Sequence, residues 1–189
     1  MLIMFEDKIT QYAKETHTYT LECPYCGKNT LVVNETMYNL PRLGEVLLIS
    51  KNCSSCGYKH NDMMPLKKKR RKRIYIKVEN KEDLKTKILR TSMTRIEIPE
   101  IGAEMVPGII APFFVTNIEG VLQRFLDILS TMNLLEVSEK KDNLSIITKK
   151  IEQMMIGKIP FTVIIDDPWG IGGIYEKSRK TLVITEYVE

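Results

Sequence analysis

The pentapeptides Cys23-Pro24-Tyr25-Cys26-Gly27 and Cys53-Ser54-Ser55-Cys56-Gly57 decide how this chain is read. They hold all four cysteines of the 189-residue sequence, with none left over. Two residues between cysteines let both sulfurs of a pair face one ion from a tight turn, and four thiolates complete a tetrahedron around Zn²⁺ at about 2.3 Å. The glycine after each second cysteine accepts a positive φ, which lets backbone N–H groups turn toward the thiolates and spread their charge. The 26 residues between Cys26 and Cys53 exceed the usual ribbon spacing of about 15–20. A hairpin arm containing Pro41 and Gly44 would absorb the excess. Cys23, Cys26, Cys53 and Cys56 are therefore expected to bind zinc in a closed structural site, which folds a module too small to bury an adequate core. Iron is the main competitor, because the same turns build iron–tetrathiolate sites. A redox dithiol would need one pair beside a βαβ unit, which the sequence lacks. His60 is not needed by an ion that already has four sulfurs.

Working outward, Thr18 to Glu22 reads as a strand entering the first cysteine turn and Thr30 to Asn34 as the strand leaving it. Glu45 to Lys51 enters the second turn and Tyr58 to Leu66 leaves it. Residues 17–66 then form a small all-β finger with a cysteine turn at each end of its strand layout. Residues 1–16 are an N-terminal segment of mildly helical composition. A second domain spans 67–189. In it, Ile74, Ile76 and Val78 alternate with polar residues and share one face of a half-buried strand. Glu82 to Arg90 reads as weakly helical. Arg95 to Ile98 alternates again and is stopped by Pro99. Residues 99–113 are rich in Pro and Gly and read as loops or bends.

The period then changes. Ile118, Val121, Leu122, Phe125, Leu126, Leu129 and Met132 make one stripe of an amphipathic helix, with Thr116 and Glu119 spaced as a capping box. Leu144, Ile147, Ile151, Met154 and Met155 make a second stripe that ends near Gly157, and Glu136 to Asn143 contains the turn between them. Strands resume at Phe161 to Ile165, followed by a turn over Asp166 to Gly173 and a last strand at Thr181 to Val188. The order predicts a mainly β domain with a helical hairpin inserted at about 117–157, and one sheet system formed by strands from both sides of the hairpin.

Net charge is +4, from 28 basic and 24 acidic residues. Seven of the basic residues form one run, Lys67-Lys68-Lys69-Arg70-Arg71-Lys72-Arg73, and without it 21 basic residues face 24 acidic ones. The charge is one concentrated patch rather than the basic face of a nucleic-acid coat. The run could grip phosphates, for instance of ribosomal RNA, through counterion release. No aromatic residues interleave to stack bases, so a solvated turn or a contact with an acidic protein surface are the other uses of the same charge. Hydrophobic residues are 43% and charged residues 28%, which excludes disorder. The stretch Met105 to Val115 is broken by Pro107, Gly108 and Pro112 and is too short to span a bilayer. MLIMFEDKI at the start has no basic region and turns acidic, unlike a secretory signal, so a cytoplasmic location is expected.

Catalytic constellations are missing. Asp166 and Asp167 are adjacent and would point to opposite faces of a strand rather than converge on a substrate. Gly170-Ile171-Gly172-Gly173 lacks the Lys-Ser/Thr pair and the βα context of a nucleotide loop. There is no G-x-S-x-G elbow. The sequence reads as a non-enzyme.

Several segments together resemble the ZPR-type zinc-finger proteins. Cys23-Pro24-Tyr25-Cys26-Gly27 is similar to that family's first knuckle. Glu45-Val46-Leu47-Leu48-Ile49-Ser50, followed by Cys53-Ser54-Ser55-Cys56-Gly57-Tyr58, is similar to its strand and second knuckle. Ile96-Glu97-Ile98-Pro99-Glu100, Val115-Thr116-Asn117-Ile118-Glu119-Gly120-Val121-Leu122 and Phe161-Thr162-Val163-Ile164-Ile165-Asp166-Asp167-Pro168 resemble three further family segments, in order. The resemblance runs from about residue 20 to the end. It implies a zinc-ribbon-like finger followed by a double-stranded β-helix, or jelly-roll-like, domain with a helical hairpin. Eukaryotic members carry this module twice, whereas the single module here looks like the shorter archaeal form. Those members bind the translation elongation factor one-alpha GTPase and assist its folding, and are described as adaptors of receptor tails. The resemblance therefore implies a non-enzymatic, chaperone-like binding protein with that GTPase as leading partner. Tyr25 and Tyr58, beside the knuckles, are the candidate contact residues, together with the run Lys67 to Arg73.

Overall fold

The computed structural model describes residues 13–40, 43–108, 111–134, 141–178 and 180–188. Its strands are β1 (Ala13–Leu21), β2 (Leu31–Leu40), β3 (Gly44–Cys53), β4 (Lys59–Pro65), β5 (Lys72–Val78), β6 (Lys87–Arg90), β7 (Arg95–Ile98) and β8 (Ala103–Met105). Then come β9 (Phe114–Asn117), the helices α1 (Ile118–Leu134) and α2 (Lys141–Met155), and the strands β10 (Phe161–Asp167), β11 (Gly173–Glu176) and β12 (Leu182–Tyr187). The chain divides into two compact units, the first ending at Lys68 and the second beginning at Lys69.

The first unit is an antiparallel meander in the order β1-β2-β3-β4. In a meander alternate turns lie at the same end. Leu31 accordingly pairs with both Leu21 and Cys53, so both cysteine turns close one end of the sheet. This corrects the expectation of a cysteine turn at each end. β1 also begins at Ala13, ahead of the expected Thr18. Its side chains beyond Ala13 are exposed on both faces, so no alternation marks it in the sequence. Cross-strand polar pairs hold it instead: the Thr18 hydroxyl lies 2.8 Å from Asn34 Oδ1, and the Tyr19 hydroxyl donates to Glu35 Oε1 at 2.7 Å. Pro41, expected in the hairpin arm, lies outside the described residues. The buried cluster of this unit is small: Cys23, Leu31, Val33 and Cys53, flanked by Cys26, Ile49 and Tyr58.

The second unit has a five-stranded sheet, β12-β5-β10-β7-β8, and a three-stranded sheet, β11-β6-β9. The alternation read in the sequence sets the register. Ile74, Ile76 and Val78 of β5 lie opposite Ile165, Val163 and Phe161 of β10, and all six are buried. Ile96 and Ile98 of β7 extend the same face. The helical stripe covers it: Ile118, Val121, Leu122 and Phe125 of α1 and Ile151 and Met154 of α2 join that core. Both sheets combine strands from before and after the helices, with β10 between β5 and β7 and β11 beside β6. The expected turn over Glu136 to Asn143 falls mostly outside the described residues, and α2 starts at Lys141 within it. Among the described residues no helix is long and apolar enough to cross a membrane.

Three local expectations are corrected. Glu82 to Arg90 is a 3₁₀ turn, Asp83–Lys85, followed by β6 rather than a helix. Asp83 pins the turn: its Oδ2 accepts from the backbone N–H groups of Glu79 and Asn80, and its Oδ1 accepts from Thr181 Oγ1 at 2.6 Å. β6 is the middle strand of its sheet, and its neighbours Ile88 and Leu89, on opposite faces, are both buried, so the strand shows no alternation. The helix cap is Asn117 and not Thr116: Asn117 Oδ1 accepts from Gly120 N–H at 2.8 Å. Finally, residues 99–113 contain a 3₁₀ turn, Pro99–Ile101, and the short strand β8.

Candidate metal centre

Each cysteine turn is closed by the same backbone contact. Gly27 N–H donates to Cys23 O at 2.8 Å, and Gly57 N–H donates to Cys53 O at 3.0 Å. Both glycines take the left-handed conformation, φ 68° and 74°, which a side chain would disfavour. Because β1–β2 and β3–β4 turn at the same end of the meander, the two knuckles face each other. All four sulfurs lie within 4.8 Å of one another. Cys23 Sγ is 3.7 Å from Cys56 Sγ, and Cys26 Sγ is 3.8 Å from Cys53 Sγ. A tetrahedron of thiolates at about 2.3 Å from Zn²⁺ has edges of about 3.8 Å, so the donor set fits the ion. The separations are far from the ~2.05 Å of a disulfide, as befits ligands. Four soft thiolates in this arrangement suit zinc or iron. His60 stands apart: it sits in β4 opposite Lys51 and is not in the donor cluster.

The four sulfurs and their neighbours shift one another's ionisation. The Thr30 hydroxyl, 3.2 Å from Cys53 Sγ, is the largest influence on that thiol and holds it down at about 6, with help from the N–H groups of Cys56 and Ser55 and against burial. At Cys56 the N–H of Tyr58 pulls the thiol down, but burial and the sulfurs of Cys53, Cys23 and Cys26 outweigh it and push it up to about 12. Four sulfurs in one cluster resist ionising together, and a bound dication removes that conflict. Thr30 was missed in the sequence. Its signal is a hydroxyl residue placed directly before the strand that leaves the first knuckle, where the Leu31–Cys53 pairing brings it to the second.

Around the centre, Tyr25 is 80% exposed and stacks on Tyr58, with ring centroids 5.3 Å apart and planes 25° apart. Tyr58 is half-buried against the cysteine cluster. The basic run is more engaged than a solvated turn. Lys67 Nζ lies 2.8 Å from Glu45 Oε2, and Lys14 with Lys67 holds the Glu45 carboxyl down at about 2. Lys69 N–H donates to Trp169 O at 2.7 Å. The Arg70 guanidinium lies over the Tyr187 ring at 5.5 Å, and that of Arg73 over Tyr75 at 5.7 Å. Arg71 makes a two-pronged contact with Asp166, Nε to Oδ1 at 3.2 Å and Nη2 to Oδ2 at 2.8 Å. Lys72 and Arg73 are the first residues of β5, and burial lowers the pKa of Lys72. Lys68 is exposed.

Comparison with known proteins adds the family. The model of the ZPR1 zinc-finger domain matches residues 15–68, and that of the ZPR1 jelly-roll domain matches residues 82–188. An uncharacterized ZPR1-like protein of Methanocaldococcus jannaschii is 34% identical, over 88% of this chain and 85% of its own length. One of Pyrococcus horikoshii is also 34% identical, over 87% of this chain and 76% of its own. The zinc finger chaperone zpr1 of Schizosaccharomyces pombe is 31% identical over 82% of this chain, which covers only 35% of that longer protein.

Proposed function

The chain belongs to the ZPR1 family, as a single module of zinc ribbon and jelly-roll domain, and from that premise we propose that it is a zinc-dependent, non-enzymatic protein-binding factor of the chaperone type. Cys23, Cys26, Cys53 and Cys56 hold the ion, which cross-links the two knuckles and has no coordination position left for water. The observation that carries the reading is the exposed aromatic step of Tyr25 on Tyr58, built directly on the four-cysteine cluster. Exposed aromatic surface of this kind is what protein interfaces use as an anchor. The fission-yeast relative, named as a zinc finger chaperone, supports the same direction. The partner we assign is the translation elongation factor one-alpha GTPase, met in the cytoplasm.

The test is refolding of that GTPase from denaturant with and without the zinc-loaded chain, read as recovered guanine-nucleotide binding. Recovery should rise with the intact chain. It should fall back to the unassisted level with the metal-free chain, and drop severalfold with Tyr25→Ala. Unchanged recovery with the intact chain contradicts the proposal. The rival, ribosomal RNA bound by Lys67 to Arg73, has less support, because Lys67 and Arg71 are paired with carboxylates and Arg70 and Arg73 lie over tyrosine rings. Neutralising the run would abolish RNA binding, whereas a protein contact would only form more slowly.

A further inference from the structure

Away from the cysteines, the second unit has an open pocket of about 420 Å³, lined in part by Arg90, Val106, Phe114, Arg124 and Ile128. Arg90 ends β6, Phe114 begins β9, and Arg124 and Ile128 share one face of α1 at i and i+4. We propose that this pocket receives a carboxylate carried beside an apolar side chain, on an acidic–apolar segment of a protein partner. The proposal rests on the protein-binding reading above and names a second contact for it.

Arg90 is only 3% exposed, yet its Nη1 and Nη2 donate to backbone carbonyls alone, Pro112 O at 3.2 Å and Val106 O at 2.8 Å. Its Nε is buried without a partner. Arg124 lies 4.1 Å from the centroid of the Phe114 ring, and Arg90 lies 5.7 Å from the same ring. Among the described residues neither guanidinium makes an ion pair with a carboxylate. Asp127 also lines the pocket, and its Oδ1 accepts from Gln123 Nε2 at 2.9 Å. Two like charges thus gather at one ring, one of them buried, and burial followed by Arg124 lowers the pKa of Arg90. A buried charge without a counter-charge is costly, and an incoming anion relieves that cost.

Geometry and surface chemistry narrow the anion. Stacking on Phe114 occupies a face of the Arg124 guanidinium and leaves its edge N–H groups for a planar, two-oxygen acceptor such as a carboxylate. Both arginines lie over the one aromatic ring among the described lining residues, so none of these is left to stack a nucleobase. The rim carries apolar side chains open to solvent, Val106 at 51% and Ile128 at 53% exposed, which an apolar neighbour of the carboxylate would cover.

The test uses the full, zinc-loaded chain and fluorescent peptides of about twelve residues, each with one Glu beside Leu or Phe in a Ser/Gly background. Isosteric Gln peptides serve as controls, and anisotropy is the readout. Glu peptides should bind at least about tenfold more tightly than Gln peptides, as expected for a charge-assisted contact. That preference should shrink as NaCl rises from about 50 to about 500 mM. Arg124→Gln, at an exposed position, should lose about tenfold. Ile128→Ser, which removes apolar cover from the rim, should lose severalfold. Equal binding of Glu and Gln peptides, wild-type affinity in both variants, or tighter binding of inorganic phosphate than of any peptide would each overturn the proposal. If carboxylate-dependent peptide binding holds while refolding of the GTPase is unaffected, the pocket stands and the choice of client falls. If refolding is assisted but the peptides show no preference, the pocket proposal falls alone.

Discussion

Asp167 accepts hydrogen bonds from the backbone N–H groups of Trp169, at 2.9 Å, and Gly172, and it is fully buried. Asp166, next to it, faces outward and meets Arg71. Asp167→Ala would strand two buried donors and should destabilise the second unit by about 2–4 kcal/mol, at about 1–2 kcal/mol for each group left unsatisfied. Asp166→Ala removes a two-pronged, partly exposed ion pair with Arg71 and strands no backbone donor, so it should cost about 1 kcal/mol. Urea midpoints of the two variants check the contrast, and similar losses would contradict it. This much was legible in the sequence, because neighbouring strand residues must point to opposite faces. What was not legible is that β10 runs on through both aspartates, since Asp-Pro-Trp-Gly carries turn composition. The clustering of the four cysteines was legible for a different reason: two matched turns hold every cysteine of the chain. Arg90, Phe114 and Arg124 gave no such sign, because only the fold brings three distant positions to one pocket.

At the scale of elements, the helical stripe of α1 announced itself, but its first residue did not. Thr116 and Asn117 are both good caps by composition, and the choice between them is made by tertiary structure. Thr116 is held in β9 opposite Ile88, which leaves Asn117 as the residue before the helix. Asn117→Ala should therefore cost about 1 kcal/mol, while Thr116→Ala should cost less. Thermal or urea unfolding of the two variants measures this, and the reverse ranking would restore the Thr116 cap. A related constraint acts at Gly120, where an added Cβ would collide with Thr116 Oγ1. Gly120→Ala should destabilise by about 1–3 kcal/mol despite alanine's better helix propensity. β6 escaped the sequence for the opposite reason to β1. It is buried on both sides, β1 is exposed on both, and neither produces the alternation that marks a half-buried strand.

Across the whole molecule, the two units are held by different forces. The second has a continuous core drawn from both sheets and both helices. Among the described residues the first has four buried residues in its cluster, two of them cysteines, with Val46 also buried in the sheet. Apolar burial on that scale does not sustain a meander of this length alone, so the ion contributes folding free energy directly. Chelation should unfold the first unit while the second keeps its cooperative transition. Hydrogen exchange shows this as loss of protection in β2 and β3 with protection retained in β5 and β10. Uniform loss across both units, or none, would contradict it. The division between what the sequence disclosed and what it hid follows the same line. Cysteine spacing and half-buried alternation are local signals, whereas the pairing partners of the basic run are not. Arg71 meets Asp166 and Arg70 meets Tyr187 only after the second unit has closed on itself.

The central claim is that a four-thiolate zinc site organises the first unit as the base of a protein-binding surface. X-ray absorption at the metal edge of the purified full chain tests it most directly. The account predicts one zinc per chain with a first shell of four sulfurs at about 2.3 Å, reduced or absent when Cys26 or Cys53 is replaced by serine. A shell containing nitrogen or oxygen, iron in place of zinc, or an unchanged spectrum in the serine variants would contradict it.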